Sequence, residues 1–417
     1  FFLIISIGLH GQKSVLSEGE WIKVSVRKSG IYKIDYTFLK KNSSNLRTID
    51  PQKIRVYVGN IKSLPQNSSI ERIKDLRQIP VLGNDLNRKL DVTDEVLFYA
   101  ESPHEEYFDS LSLRIRHKQN AYSDENFYFI NIGKEDAIKI ETLPTPPSNS
   151  SPISILTYFN YEEKESKNLL SSGRNWFGDF FYNNYSLNLN NPEAQSDILI
   201  KMSLLGMGRS DQTLNVKIGG ESLTNITLPK SFYNSADSYA RYNRVSNHTD
   251  FELNIPKSKA NANLELSLST AGSANAGAYL DYFEIQYERN INYNPKAAIK
   301  YWYLKKSKEA VFRLNQSDKN TEVWLVDNPY LPSRFSLKDD GIFGGDLNDN
   351  QTKQIIVFDK GSVETPKFIE KITNQSIIGH NTPNLLVVYP EKFKAEAERL
   401  MIFKKQAQNI DVLGFST

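Results

Sequence analysis

Short segments in which apolar and polar residues alternate recur along most of this chain, and turns rich in Gly, Pro, Asn and Ser separate them. A period of two residues is typical of strands that bury one face. The composition of 22 Tyr and 22 Phe but 3 Met also favours β structure. A length of 417 residues is enough for two to four domains. We therefore expect a mostly β protein with several domains.

The last segment, NLLVVYPEKFKAEAERLMIFKKQAQNIDVLGFST (384–417), has a different pattern. LLVVY is a continuous apolar run, as expected of a buried parallel strand. The next stretch places Phe393, Ala397, Leu400 and Met401 on one face of a helix. IDVLGFS then reads as a second strand. The sequence therefore predicts a change from all-β to α/β structure near residue 383, with one βαβ unit after it.

These patterns divide the chain into six segments. They are a remnant of a signal peptide (1–12), an N-terminal β domain (13–142), a linker with an irregular aromatic segment (143–195), a jelly-roll-like β-sandwich (196–289), a further β-rich region (290–382) and the start of an incomplete α/β domain (383–417).

The patterns of three segments predict their local secondary structure. EWIKVSVRKSGIYKID (20–35) predicts a β-hairpin around its Ser-Gly turn. TPKFIEKI (365–372) is read as a short helix. YLDYFEIQYE (279–288) does not separate into one apolar and one polar face, which indicates a strand covered on both sides.

The first residues, FFLIISIGLHGQKS, are apolar for about nine positions and then become polar. A run this short cannot span a bilayer, which needs roughly 20 residues. We interpret it as the tail of a secretory signal peptide, and a buried first strand is the alternative. The first interpretation predicts an exported protein.

Charge and cysteine content exclude several classes of function. The formal net charge is +2, so there is no bulk electrostatic argument for binding nucleic acid. The chain has no Cys, which excludes disulfides, thiolate metal sites and a cysteine nucleophile within it.

Several candidate sites are weak in the sequence. The five histidines show no metal-ligand spacing, and they are His10, His104, His117, His248 and His380. GGDLNDNQTK places Asp346, Asn348 and Asn350 at alternating positions, but Gln351 and Val357 stand where a calcium loop needs Gly and Glu. We therefore expect a polar turn there.

The remaining candidates favour ordinary structural roles. Glu105, Glu106 and Asp109 in HEEYFD could form a glycosidase pair, but a solvated acidic loop fits their spacing better. The aromatic residues of WFGDFF could stack on sugars, although a core role is commoner. The sequons at Asn42, Asn225 and Asn374 matter only in a eukaryotic source. We assign no catalytic, cofactor-binding or metal-binding residue in this chain.

The order and spacing of several stretches resemble the PorU family of type IX secretion sortases, which are gingipain-like cysteine peptidases of Bacteroidetes. The resemblance covers nearly the full length. DEVLFYAESP, RHKQNAYS and SGRNWFGDFF carry most of it, with LSEGEWIKVSVRKSGIYKID, GAYLDYFEIQYER and PNLLVVYPEKFKAEAERLMIFKK in support.

The resemblance implies a β-rich region followed by a peptidase domain with a His–Cys dyad. It also implies cargo proteins with C-terminal sorting signals, anchoring of cargo to lipopolysaccharide, outer-membrane partners such as PorV, and a place on the cell surface. With no Cys in the chain, no catalytic residue can be carried over, and the chain would be the non-catalytic part of such a protein. Two alternatives remain: another gingipain-like peptidase, or a stand-alone surface protein whose β-sandwich binds a polysaccharide or a protein.

Overall fold

The computed structural model describes most of the chain. The described residues are 13–83, 88–144, 151–169, 176–182, 184–188, 193–208, 210–230, 248–260, 264–269, 277–305, 307–347, 351–376 and 382–416. Strands dominate them, so the chain is mostly β, as the sequence predicts. His10, Asn348, Asn350 and His380 lie outside the described residues.

The described residues of the first part of the chain form ten strands and one α-helix. They are β1 (Glu20–Val26), β2 (Gly30–Asp35), α1 (Tyr36–Asn42), β3 (Ile54–Val58), β4 (Arg77–Ile79), β5 (Leu82–Gly83), β6 (Glu95–Ala100), β7 (Glu105–Asp109), β8 (Arg114–Lys118), β9 (Asn126–Ile132) and β10 (Glu141–Leu143).

In the middle of the chain, the described residues form nine strands. They are β11 (Ile155–Glu163), β12 (Phe180–Tyr182), β13 (Asn184–Leu187), β14 (Ile198–Met207), β15 (Gln212–Ile218), β16 (Glu221–Leu228), β17 (His248–Ile255), β18 (Leu264–Ser269) and β19 (Gly277–Asn290).

The described residues of the last part form nine strands and one α-helix. They are β20 (Ile299–Tyr303), β21 (Glu309–Arg313), β22 (Thr321–Leu325), β23 (Ser333–Phe335), β24 (Ile342–Asp346), β25 (Lys353–Asp359), β26 (Lys367–Ile372), β27 (Leu385–Tyr389), α2 (Lys394–Gln408) and β28 (Val412–Ser416).

The hairpin predicted at residues 20–35 is wrong. β1 belongs to a five-stranded sheet in the order β26-β1-β9-β3-β4, whereas β2 belongs to a three-stranded sheet in the order β2-β6-β5. The two strands face each other across one core, where Ile22 and Val24 pack in the same cluster as Tyr32 and Ile34. Alternation shows which face of a strand is buried, but it does not show which strand is the neighbour.

The short helix predicted at TPKFIEKI is also wrong. Lys367–Ile372 is β26, and it pairs antiparallel with β1, with Trp21 opposite Ile372 and Ser25 opposite Lys367. No side chain of β26 is fully buried. An edge strand of this kind carries little periodicity in its sequence, because backbone hydrogen bonds rather than an apolar face hold it in place.

Sheets stack in layers through the N-terminal and C-terminal regions. The central layer is a ten-stranded sheet in the order β10-β23-β22-β25-β20-β11-β19-β14-β17, with β12 also paired to β19. In β25, Ile355 and Val357 face one core, while Ile356 and Phe358 face another that the three-stranded sheet shares. These apolar runs are therefore covered on both faces.

The other end of the ten-stranded sheet forms a sandwich. Its strands β14, β17 and β19 pack against a four-stranded sheet in the order β13-β18-β15-β16. Ile198, Ile200 and Met202 from one sheet meet Leu214 and Val216 from the other in a common core. Residues 143–195, predicted as a linker with an irregular segment, contribute β11, β12 and β13 to these sheets.

The C-terminal unit has the βαβ pattern that the sequence predicts. β27 and β28 are parallel, with Leu385 opposite Val412, and α2 connects them. Of the predicted helix face, Ala397 is buried, whereas Phe393 and Leu400 are 50% and 45% exposed.

No helix in the described part of the chain combines the length and the apolar character needed to cross a membrane.

Candidate functional site

The acidic segment HEEYFD does not form the solvated loop that its sequence suggests. Glu105–Asp109 is strand β7, which forms a hairpin with β8. A carboxylate oxygen of Glu105 lies 2.6 Å from Nζ of Lys62, and one of Glu106 lies 2.8 Å from Nζ of Lys300. Asp109 accepts hydrogen bonds from the backbone N–H groups of Leu111 and Ser112 in the turn. These carboxylates therefore have structural partners and do not form a glycosidase pair.

The β7–β8 hairpin lies on the face of the ten-stranded sheet that points away from the sandwich core. Ile115 packs with Phe159 and Trp302 in a small apolar cluster. The backbone N–H of Ile115 donates to Oε1 of Gln286 on β19, at 2.9 Å. The hairpin thus covers the second face of β19, as the mixed pattern of that strand predicts.

Next to this apolar contact, His117 lies between two carboxylates. Its Nδ1 is 2.8 Å from Oε1 of Glu284, and its Nε2 is 2.5 Å from Oε2 of Glu163. The His117 ring stacks on Tyr161 at 4.4 Å and meets the Tyr282 ring edge-on at 4.8 Å. Only 4% of the His117 side chain is exposed.

Arg116 extends the ionic network. Its Nη1 donates to Oε2 of Glu284 at 3.0 Å, and its Nη2 donates to Oε1 of Glu252 at 2.6 Å. The backbone N–H of His117 also donates to Glu284, at 2.9 Å. Glu284 thus accepts three kinds of donor from one hairpin, which fixes the hairpin against β19.

The protonation states follow from these contacts. Burial opposes a charge on His117, but the hydrogen bonds and charges of Glu163 and Glu284 outweigh burial and raise its pKa to about 9. Burial likewise opposes the charge of Glu284, whose pKa is nevertheless lowered by its hydrogen bonds to His117 and Arg116. His117 is therefore a buried imidazolium at neutral pH and not a general base.

A β-bulge brings one more carboxylate to the same face. Ser203 pairs with Tyr282 and Leu204 pairs with Leu280, so Asp281 is the extra residue of β19. Leu280 precedes the bulge and Phe283 follows it in the sandwich core, whereas Asp281 and Tyr282 both line the opposite cavity. Burial and then the charge of Glu163 raise the pKa of Asp281 to about 7.

Two adjoining cavities open beside this cluster. The first, of about 420 Å³, is lined by His117, Glu163, Asp281 and Glu284, together with Tyr107 and Tyr282. The second, of about 530 Å³, shares Gln119 and Glu163 with the first, and it adds Tyr122, Asp124, Glu165 and Trp176. Strand ends and turns around one edge of the sheet therefore form a polar groove with aromatic walls.

The other sequence candidates lie apart from this groove or serve local structure. His248 has Nδ1 3.7 Å from Oδ2 of Asp281 and packs edge-on against Phe177. Nδ1 of His104 accepts from the backbone N–H of Asn120. Asp346 ends strand β24. Asn42 is buried and donates to the carbonyl of Phe38, and Asn374 donates to the carbonyls of Leu16 and Gly19.

The aromatic segment WFGDFF divides between two roles. Phe177 and Phe181 are buried in the core, at 0% and 7% exposure, as the commoner interpretation expects. Trp176 is 36% exposed and lines the second cavity.

Sequence reasoning missed the His117 cluster, although a signal for it exists. If β19 is covered on both sides, then its polar residues Glu284 and Gln286 need buried partners. The segment RIRHK offers donors at alternating positions of a strand. The contact between β8 and β19 joins residues that are far apart in the sequence, so no local pattern predicts it.

Chemically, this arrangement can hold a hairpin and bind a polar ligand. Among the described residues, no group of three or more His, Asp or Glu side chains has the geometry to hold a metal ion. Both ring nitrogens of His117 are occupied by carboxylates, and the chain contains no Cys.

Comparisons with known proteins now place the fold. The crystal structure of dimeric latent PorU from Porphyromonas gingivalis superposes with a TM-score of 0.78 and 18% sequence identity, and the match covers 97% of this chain. The chain has a PorU-like fold. It spans 38% of the length of that PorU chain.

Other solved structures superpose poorly on this chain. A carbohydrate-binding module CBM36 in complex with calcium and xylotriose matches with a TM-score of 0.17 and 17% identity, over 27% of this chain and 76% of the module. No protein-family model matches the sequence. No curated protein matches it either.

Proposed function

We propose that this chain is the non-catalytic β-rich part of a PorU-type sortase of the type IX secretion system, together with the start of its peptidase domain. The observation that carries the proposal is the PorU-like fold over 97% of the chain, at a TM-score of 0.78. The parallel β27–α2–β28 unit supports it, because parallel strands joined by a helix are the building unit of an α/β domain.

In this proposal, the parent protein is an exported cell-surface cysteine peptidase and transpeptidase. Its Cys thiolate attacks a backbone carbonyl near the C-terminal sorting signal of a cargo protein, and the signal leaves as a protonated amine with a thioester behind it. An amine of lipopolysaccharide then attacks the thioester, which forms an amide and releases the thiol. The present chain supplies none of these reacting groups; it would hold the peptidase domain and contact partners such as PorV.

The coding sequence after residue 417 provides the first test. The proposal expects further βα units there, with a His and a Cys that each follow an apolar strand. The complete protein should then remove a C-terminal sorting signal from a cargo protein, and replacing that Cys with Ala should abolish the removal. A stop codon directly after Thr417 would contradict the proposal.

A further inference from the structure

The second cavity beside the His117 cluster combines acidic and aromatic side chains. It lies between the turn that follows β8, the end of β11 and the residue Trp176. Asp124 and Glu165 line it from different segments, and Glu163 links it to the first cavity. Among the described residues, neither Asp124 nor Glu165 has a cationic side chain within ion-pair distance. Within the described residues, these two carboxyl groups therefore have no countercharge, unlike Glu163, which pairs with His117.

The pKa of Glu165 reflects the acidic surroundings of this cavity. Partial burial, a hydrogen bond from the protonated Glu165 carboxyl to Glu163 and the charges of Glu163, Asp281 and Asp124 raise the pKa of Glu165 to about 8. A carboxyl group behaves in this way when it is partly desolvated and other carboxylates lie near it. An incoming cation would favour the ionised form of Glu165 and lower its pKa.

A buried acceptor in the same cavity is also without a partner. The side-chain oxygen Oε1 of Gln119 is shielded from solvent and forms no hydrogen bond within the described structure. Gln119 lines both cavities. A buried acceptor of this kind is unfavourable unless a ligand or water donates to it.

Two aromatic side chains provide the walls for an organic cation. Tyr122 is 80% exposed and Trp176 is 36% exposed, whereas Trp21, Trp302 and Trp324 are at most 3% exposed. Ammonium and guanidinium groups bind the faces of Trp and Tyr, and the alkyl stems of Lys and Arg pack on the same rings.

We propose that the groove lined by Tyr122, Asp124, Glu165 and Trp176 binds a Lys or Arg side chain of a basic peptide segment. The ammonium or guanidinium group donates to Asp124, Glu165 and Oε1 of Gln119, and its stem lies against Trp176. An anionic lipopolysaccharide headgroup does not suit this groove, because the ionisable side chains among its described lining residues are carboxyl groups and the Tyr122 phenol. A neutral sugar would stack on the rings but would not compensate the carboxylates. The inference concerns this chain alone and does not depend on the proposed function.

Tryptophan fluorescence of the complete 417-residue chain provides the test, since Trp176 is its exposed tryptophan. The probe is tetralysine with acetylated and amidated ends, and tetraglutamate and maltotetraose serve as comparison ligands. We expect a saturable change of emission with tetralysine alone. Because the chain has a formal net charge of +2, general attraction of a cation to it is not expected.

Variants test whether tetralysine binds in the groove or elsewhere on the surface. Asp124→Asn combined with Glu165→Gln should weaken calorimetric binding of tetralysine by about 10-fold, because charge-assisted hydrogen bonds are lost. Trp176→Phe should abolish the emission change and weaken binding by about 2-fold to 5-fold. The matched control is Glu162→Gln, an exposed carboxylate on β11 that does not line the cavity; we expect a change below about 2-fold.

The pH dependence gives an independent readout. The charged groups that act on Glu165 are Glu163, Asp281 and Asp124. His104 interacts with Asp124 and Glu163, and His117 interacts with Asp281. Deprotonation of Glu165 should tighten tetralysine binding between pH 6.5 and pH 8, and Glu165→Gln should reduce that dependence.

Three results would overturn the proposal: no saturable binding of tetralysine by fluorescence and calorimetry, an equal loss in Glu162→Gln, or tighter binding of maltotetraose than of tetralysine.

Discussion

Asp281 shows how one inserted residue changes the chemistry of a strand. The bulge places its carboxyl group at a half-buried position beside Glu163, where its pKa is raised to about 7. The unfolded chain releases this proton near pH 4, whereas the folded chain keeps it until about pH 7. The free energy of unfolding should therefore fall as the pH rises from 4 to 7, and this contribution should stay low above pH 7.

We expect Asp281→Asn to stabilise the protein at pH 8 by about 1–2 kcal/mol, because the amide carries no charge into the buried site. Urea denaturation at pH 4.5, 6 and 8 measures the effect, and the gain should disappear at pH 4.5. Asp411→Asn, at an exposed position, is the control. A variant less stable than the parent at pH 8 would show that the Asp281 carboxylate is needed for the fold.

His117 gives a pH dependence of the same sign over a higher pH range, at a neighbouring position. Its pKa is raised from 6.5 to about 9, so its contribution to stability is complete below pH 6.5 and is lost as the pH rises through 9. We expect His117→Gln to destabilise the protein by about 2–3 kcal/mol at pH 6, since Glu163 and Glu284 lose their buried cation.

The free energy of unfolding, measured by urea denaturation, should decline in the parent between pH 6.5 and pH 9. The same variant should also remove this decline. His104→Gln, which changes a half-buried histidine outside the ion cluster, should leave that decline intact. If His117→Gln keeps the full pH dependence, another group causes it.

At the scale of elements, sequence patterns predict the kind of structure better than its partners. The β-sandwich follows from periodicity, because its strands bury their apolar side chains on one predictable face. The C-terminal βαβ unit forms as predicted, but LLVVY, expected as a buried strand, has no fully buried residue. The pairing of β1 with β26, more than 300 residues apart, has no local signal. The His117 cluster was missed for the same reason, because β8 and β19 meet only in the folded chain.

The C-terminal unit leaves apolar side chains exposed on its strand and its helix. Leu386 and Val388 are 53% and 59% exposed, and Ile402 and Phe403 are 56% and 59% exposed. Exposed apolar patches and open strand edges promote association. We expect deletion of residues 383–417 to raise the soluble yield and to reduce static light scattering of the purified protein.

A double substitution in the full chain tests whether the exposed apolar side chains cause the association. Leu386→Lys with Val388→Lys should reduce scattering and binding of an apolar dye, whereas Leu111→Lys with Leu113→Lys, in the exposed β7–β8 turn, should change them little. If the deletion instead lowers solubility, the unit protects the rest of the chain.

At the scale of the whole molecule, the ten-stranded sheet connects the regions that the sequence treats as separate. Its strands come from residues 141–359, and the three-stranded sheet, the β7–β8 hairpin and the four-stranded sheet all pack against it. Strands from most of the chain thus build one scaffold, and the six sequence segments describe composition better than they describe the layers. Such a scaffold can position a neighbouring domain without taking part in its chemistry.

A structural role for this chain leads to a prediction about its peptidase activity. The chain has no Cys, and both ring nitrogens of His117 are bound to carboxylates, so we expect the purified chain to cleave no peptide that carries a C-terminal sorting signal. Mass spectrometry of the peptide after incubation, with and without iodoacetamide, measures this. If the proposed function is right, the comparison is a longer protein that contains this chain and a His–Cys dyad, which should cleave the peptide and lose that activity with iodoacetamide. Cleavage by the unextended chain would place a catalytic group within the residues described above, and it would contradict a purely structural role for this part of the molecule.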